Sequence, residues 1–376
     1  MQFSTHRGRI ILLLFSLMEA TWRGKRPHHT FDLAAQQGFV LFLFDDGGLV
    51  TFQILALSGG GILGLYTAAV LAELEGASGR PIADHFDLLA GTSVGGIIAL
   101  GLSAGTPAAD IRDAICEYGP QIFSSRSPAQ TTVGKNLALA ANATHAKYDA
   151  APLRAVIEKI VGRDRKIGDL AHRVMIPAVN LTKGRPQVFK TAHDPTFVRD
   201  WRLPIVDVAL ATSAAPTFFP LHQIGGELFA DGGLYANAPD QLALHEAEHF
   251  LGTDLGSVKL LSVGTTTAKF SLSNATNPNL GWLGWMAGQR LPTVMIAAQQ
   301  LNTDSILKHR LGDRYLRIDQ EQSREQERNL ALDVASPGAL RDLLGLAEAS
   351  VREHLIDPRL IEMLTFTAPP AQFYHL

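Results

Sequence analysis

The chain has 376 residues, 46% hydrophobic and 18% charged, enough to build a self-sufficient core and too apolar for wholesale disorder. Its 33 basic and 36 acidic residues leave a net charge of −3, which argues against a protein built to hold a nucleic acid polymer. A single cysteine, Cys116, excludes an internal disulfide and a cysteine-rich metal site.

Residues 1–50 read as an extension of uncertain order. Ile10–Met18 is an apolar run preceded by Arg7 and Arg9, shorter than the about 20 residues that a bilayer span needs. It has the outline of a signal-peptide hydrophobic region, but Met18-Glu19-Ala20 is a poor cleavage site, so a cytoplasmic location is expected over secretion. Phe39–Phe44, followed by Asp45-Asp46-Gly47-Gly48, reads as a short strand and turn.

Organised sequence begins at Thr51. Gln53–Leu57 is an apolar run of strand length, Ser58-Gly59-Gly60-Gly61-Ile62-Leu63-Gly64 a glycine turn, and Leu65–Leu74 carries apolar residues at helical spacing. The design repeats at once: a buried strand over Phe86–Ala90, a tight turn over Gly91–Gly96, and a helix over Ile97–Ala104 ended by Gly105 and Pro107. Two consecutive strand–turn–helix units imply a parallel sheet covered by helices, because parallel strands need crossovers. Residues 106–150 read as less regular, with a surface loop over Phe123–Lys135. Asp149–Val161 reads as a helix, Val174–Leu181 as a strand, and Ile205–Ala211 as a helix broken by Ala215–Pro220. Glu227–Ala230 is a short strand ending at Asp231-Gly232-Gly233, Gln241–Leu251 a helix, and Lys259–Val263 a strand. Residues 320–330 are charged and linker-like, and Ser336-Pro337 caps a final helix running to about Leu355.

Three constellations carry chemistry. Gly91-x-Ser93-x-Gly95 between a strand and a small-residue helix is the nucleophile-elbow pattern: a serine at so sharp a turn needs glycine two positions to either side, and a helix N-terminus favours developing negative charge. Gly59-Gly60-Gly61-x-x-Gly64 reads either as an oxyanion hole made of bare backbone N–H groups or as a dinucleotide fingerprint, with Asp84 and Asp87 loosely where a ribose ligand would stand. The second strand favours the oxyanion reading, because it ends in Gly-Thr-Ser-Val-Gly and not in an acid. His245-Glu246-Ala247-Glu248-His249 is a literal H-E-x-x-H, which allows a zinc peptidase, but no obvious third ligand follows, and the apolar face of Ala243, Leu244, Ala247, Phe250 and Leu251 favours reading the charged residues as a solvated helix side. His245, His249, His309 and His354 all follow Asp231 and leave room for a Ser–Asp–His triad. Trp282-Leu283-Gly284-Trp285-Met286 suits a lipid interface or an acyl pocket.

Taken together, the triple-glycine loop, Gly91-Thr92-Ser93-Val94-Gly95 and Asp231-Gly232-Gly233 resemble the patatin-like phospholipase family. So do the stretches Tyr148–Leu153 and Ala211–Pro220, and the agreement spans about residues 52–265. The resemblance implies a three-layer α/β/α fold with a mainly parallel central sheet. It implies a lipid acyl hydrolase with Ser93 as nucleophile, Asp231 as base, and Gly59, Gly60 and Gly61 as oxyanion donors, with Gly64, Gly91, Gly95, Gly232 and Gly233 as motif support. No metal or organic cofactor is implied, and a phospholipid membrane surface is the implied substrate. A catalytic core over 51–265 and a mainly helical, packing or regulatory part over 266–376 follow. The chain departs from the family pattern at Ser58, where an aspartate is usual, and at Leu63, where a basic residue is usual. Asp231–Phe250 further resembles bacterial phospholipase effectors switched on by cyclic nucleotides in antiviral defence, which implies a cyclic nucleotide activator.

Overall fold

The computed structural model describes residues 51–124, 145–266, 278–279, 281, 284–285, 290–323 and 325–374. All lie within one unit, Leu49–Leu376. The segments Ile10–Met18 and Phe39–Phe44, and most of the Phe123–Lys135 loop and of the Trp282–Met286 cluster, lie outside the described residues.

The first apolar run becomes β1 (Phe52–Leu57), and the second β2 (Leu88–Gly91). β3 (Arg173–Asn180) and β4 (Arg185–Lys190) form a hairpin, as do β5 (His222–Ile224) and β6 (Glu227–Asp231). β7 (Val258–Val263) and β8 (Tyr315–Ile318) complete one sheet in the order β5-β6-β3-β2-β1-β7-β8, with β4 paired to β3. β3, β2, β1, β7 and β8 run parallel. The sheet thus continues past residue 265 through β8, a strand too short to stand out in the sequence.

Alternation along the central strands sends side chains into two cores, the period-2 signature of a sheet buried on both faces. Leu55, Leu57, Leu89 and Ile176 enter one core; Ile54, Ala56, Leu88 and Ala90 enter the other. The first core is roofed by α1 (Gly64–Ser78), α2 (Val94–Ser103), α3 (Ala108–Ile122), α4 (Ala150–Val161) and α5 (Ile205–Thr212). A single turn, α6 (Gly233–Ala236), then leads into α7 (Asp240–His249), which covers the second core with α8 (Arg290–Leu311). α9 (Gln326–Asn329), α10 (Pro337–His354) and α11 (Pro358–Thr365) close the described chain, α10 returning to the first core beside α1. This is the expected three-layer α/β/α arrangement with a mainly parallel sheet.

Local chemistry sets the element ends. Asp149 caps α4 by accepting from the Ala151 N–H (3.0 Å), and Ser336 caps α10 by accepting from Ala339 (3.1 Å). Helix α3 occupies part of the stretch read as irregular. Pro120 sits inside it, yet Ile111, Ala114, Ile115 and Ile122 recur on one buried face, and tertiary burial overrides the local breaker. Among the described residues no helix is long and apolar enough to cross a membrane.

One irregularity in the sheet positions the site. β2 pairs with β3 along Arg173–Met175, and β6 pairs with β3 along Ala178–Asn180. β4 overlaps both stretches, so it must hold the opposite edge, and β2 and β6 share the other. β2 runs parallel to β3 and β6 antiparallel, so their C-terminal ends approach each other head-on across Ile176 and Pro177. Pro177 fits such a break because it has no N–H to leave unpaired.

Candidate active site

Ser93 leaves the end of β2 with φ 55° and ψ −125°, a backbone conformation that costs a non-glycine residue about 1–3 kcal/mol. The turn is too tight for side chains: a Cβ on Gly91 would lie 2.2 Å from the Gly95 carbonyl oxygen, and one on Gly95 would lie 2.4 Å from that of Leu57. Every residue of α2 is buried, so the elbow rests on a fixed base. Helix geometry leaves the first N–H groups of α2, beginning at Val94 beside Ser93, without an intrahelical acceptor.

Asp231 comes from the other side of the break, at the end of β6. Its carboxylate is buried, accepts from the Gly233 N–H (2.6 Å), and has the Ser93 hydroxyl beside it as a second potential donor. Burial pushes this carboxyl from the usual 3.8 up to about 6, against the opposing pull of those two donors. A base so raised is far better matched to taking a hydroxyl proton near neutral pH than an ordinary aspartate. The structure therefore brings Ser93 and Asp231 together. The histidines stay away: His245, His249 and His309 are exposed, and His354 Nδ1 bonds to the Ser350 carbonyl (2.8 Å). The Gly233 N–H donates to the Asp231 carboxylate and Ser93 stands beside it, and no histidine among the described residues bonds to it.

The glycine loop borders Ser93, and one of its three expected donors is already engaged. The Gly59 N–H already donates to the Asn237 carbonyl (2.9 Å), so Gly59 offers no donor to a substrate oxygen. Its own carbonyl accepts from Asn237 Nδ2 (3.1 Å) and Thr265 Oγ1 (3.1 Å), which makes Gly59 the anchor of the loop. Gly60 and Gly61 line the cavity at Ser93, and their N–H groups donate to no group among the described residues. Gly61 has φ 57°, and a Cβ there would fall 2.1 Å from the Leu332 carbonyl oxygen. That carbonyl accepts from the Ile62 N–H (2.9 Å) and fixes the far end of the loop. Asn237 and Leu332 were not legible as site residues, since each acts by hydrogen bonds on the backbone of a loop more than 170 positions away. Ser58 and Leu63, the two departures from the family pattern, are both buried, Leu63 in the apolar core.

A cavity of about 320 Å³ opens beside Ser93 and Asp231. Its walls are almost wholly apolar, built from α2 (Ile97), α3 (Ile115, Ile122) and α4 (Val156, Ile157), with Phe218 and Phe219. Leu291, Pro292, Met295 and Ile296 of α8 form another wall, which the sequence reading did not anticipate. Such a chamber suits a hydrocarbon chain: it offers no hydrogen bonds away from the reacting end, and each buried methylene gains about 0.8 kcal/mol.

The two other readings of the sequence fail on geometry. Asp87 accepts from the Gln53 N–H (2.8 Å) and Asp84 pairs with His172 (3.2 Å). Both precede β2, and Gln53 opens β1, so the acids sit at the opposite end of the strands from the glycine loop and cannot reach a nucleotide held there. In the H-E-x-x-H stretch, His245 and His249 stack at 5.1 Å on the exposed side of α7, whereas Glu246 turns inward to Lys190 (2.5 Å) and His193 (2.9 Å). No group of three metal-ligating side chains occurs among the described residues.

Residues 55–244 match the patatin-like phospholipase family. A cGAMP-activated phospholipase of Pseudomonas aeruginosa is 42% identical over 331 residues, 87% of this chain and 96% of its own. A cGAMP-activated phospholipase of Vibrio cholerae is 39% identical, over 77% of this chain and 88% of its own. A cUMP-AMP-activated phospholipase of Escherichia coli is 33% identical, over 56% and 64% respectively. With a buried carboxylate beside an elbow serine on the wall of an apolar chamber, a family match over residues 55–244, and relatives that span most of its length, this chain belongs to the patatin-like phospholipase family.

Proposed function

We propose that the protein hydrolyses fatty-acyl esters of membrane phospholipids through a Ser93–Asp231 dyad. The observation that carries this reading is the meeting of Ser93 and the buried Asp231 carboxylate at the wall of one apolar cavity. Ser93 Oγ attacks the ester carbonyl carbon as Asp231 takes its proton. The Gly60 and Gly61 N–H groups, with the N-terminus of α2 behind them, hold the negative charge that develops on the carbonyl oxygen. Collapse of the tetrahedral intermediate breaks the bond to the glycerol oxygen, which leaves as the lysophospholipid alcohol with the proton returned by Asp231. Water then attacks the acyl-serine, Asp231 accepts its proton, and the fatty acid leaves as Ser93 regains its hydrogen.

We further propose that a cyclic dinucleotide such as cGAMP activates the protein from the cytoplasmic side. The support is that the relatives aligning over 96% and 88% of their own length are cGAMP-activated phospholipases. We read the part beyond residue 265 as the transmitter of that signal; in support, α8 and Leu332 wall the cavity, and Leu332 touches the glycine loop. The test is release of free fatty acid from phospholipid vesicles by the full chain with and without cGAMP. Release that needs Ser93 and rises with cGAMP is expected. Activity undiminished in Ser93→Ala would overturn the dyad, and activity indifferent to cGAMP and cUMP-AMP would overturn the activation.

A further inference from the structure

The hydroxyl of Thr212 is fully buried at the break between β2 and β6, and it touches neither the cavity nor the carboxylate. Its Oγ1 accepts from the Ser93 N–H (3.0 Å) and donates to the Pro177 carbonyl (2.6 Å). One donor and one acceptor saturate what a hydroxyl does in this geometry. The same residue also reaches the other half of the dyad: its carbonyl accepts from the Gly232 N–H (3.3 Å), and the Ala214 carbonyl accepts from the Asp231 N–H (3.0 Å). These are carbonyls at and just past the C-terminus of α5, which helix geometry leaves without intrahelical partners. Both catalytic turns are thereby fastened to a single helix end, and through Pro177 to the middle of β3.

We infer that Thr212 is a positioning residue for the reaction, its hydroxyl fixing the strained Ser93 backbone at the distance from Asp231 that proton transfer requires; this rests on the dyad reading above. The physical argument is the conformation of Ser93. A residue at φ 55° persists only where its surroundings over-determine it. The Ser93 N–H lies in the peptide plane whose orientation φ sets, and Thr212 Oγ1 is its acceptor. Without that acceptor the elbow can relax toward an ordinary backbone, carrying Oγ away from Asp231. A shift of about 1 Å at a reacting atom is enough to cost about 100-fold in rate.

Three variants separate the hydroxyl from the packing. Thr212→Ser and Thr212→Ala both remove the buried methyl group, but only alanine removes the hydroxyl. Thr212→Val restores the shape and leaves the Ser93 N–H and the Pro177 carbonyl unpaired. In the fatty-acid release assay with cGAMP present, Thr212→Ser is expected to keep a kcat close to wild type, even if its melting temperature drops. Thr212→Ala and Thr212→Val are expected to lose about 10- to 100-fold in kcat, with KM little changed. Labelling of Ser93 by a fluorophosphonate should slow in parallel, because it reads the nucleophile without the acyl cavity. Equal losses in Thr212→Ser and Thr212→Ala would make the methyl group responsible and overturn the inference, as would an undiminished kcat in Thr212→Val. If Thr212→Val does not fold, the serine–alanine pair decides alone. A wild-type protein that releases no fatty acid refutes the dyad reading instead, so the two failures are distinguishable.

Discussion

Replacing Asp231 with asparagine should remove activity and stabilise the protein, by an amount that depends on pH. The side chains are nearly isosteric, so packing is preserved and the Gly233 N–H keeps its acceptor. What changes is the buried charge. A carboxyl displaced from 3.8 to about 6 makes the ionised form about 3 kcal/mol less favourable in the folded chain than in the unfolded one. The folded state holds this proton more tightly, so the contribution to stability is full below pH 3.8 and is lost as pH rises through about 6. The advantage of Asp231→Asn over wild type should therefore grow from about 1.5 kcal/mol at pH 5 to about 3 kcal/mol at pH 7.5, and then level off. Near neutral pH that corresponds to a melting temperature higher by about 3–6 °C. Thermal melts of both proteins at pH 5, 6, 7 and 8 measure it. In parallel, wild-type kcat/KM should climb about tenfold per pH unit below 6 and reach a plateau above 7, since Asp231 must be ionised to act as base. An advantage that is flat across this range, or an asparagine variant less stable at pH 8, would refute the argument that burial destabilises the ionised base.

Two further outcomes follow from the same site. Ser93→Gly should abolish turnover and raise stability by about 1 kcal/mol relative to Ser93→Ala, because glycine adopts φ 55° without strain; chemical denaturation of the two variants reads the difference. Ile97→Phe, which thrusts a ring into the cavity one helical turn beyond Val94, should shift kcat/KM toward esters of shorter acyl chains at a stability cost of about 1–3 kcal/mol, as seen by comparing chain lengths and melts.

The serine elbow was legible in the sequence because its requirement is local. Gly91 and Gly95 are spaced by the sterics of a single turn, and an apolar strand and a small-residue helix flank them within twenty positions. Asp231 could be read only through its motif, since what raises its pKa is burial supplied by distant segments. The same limit explains Gly59. Three glycines in a row look equivalent as donors, and only the fold shows that Asn237 has taken the first. Helix α3 was hidden by Gly119 and Pro120, and a Cβ on Gly119 would stand 2.4 Å from Ile62 Cδ1, so the residue that weakens the helical signal is the one that lets α3 approach the loop. The wall formed by α8 could not be anticipated, because Leu291 and Met295 reveal their role only once a chain segment sixty residues past Asp231 has folded back.

The head-on meeting of β2 and β6 sets the interval between nucleophile and base in a particular way. Ala90 pairs with Met175 and Asp231 with Ala178, so the gap is measured off along β3 as three residues, about 10 Å of strand. Such a ruler is indifferent to the length of the excursions between the strands. Insertions in the β5–β6 hairpin or ahead of α5 leave it unchanged, whereas a slip of β6 by a single residue would turn Asp231 to the opposite face of the sheet. Substrate preference can therefore be remodelled in the surrounding segments while the reacting pair stays in register.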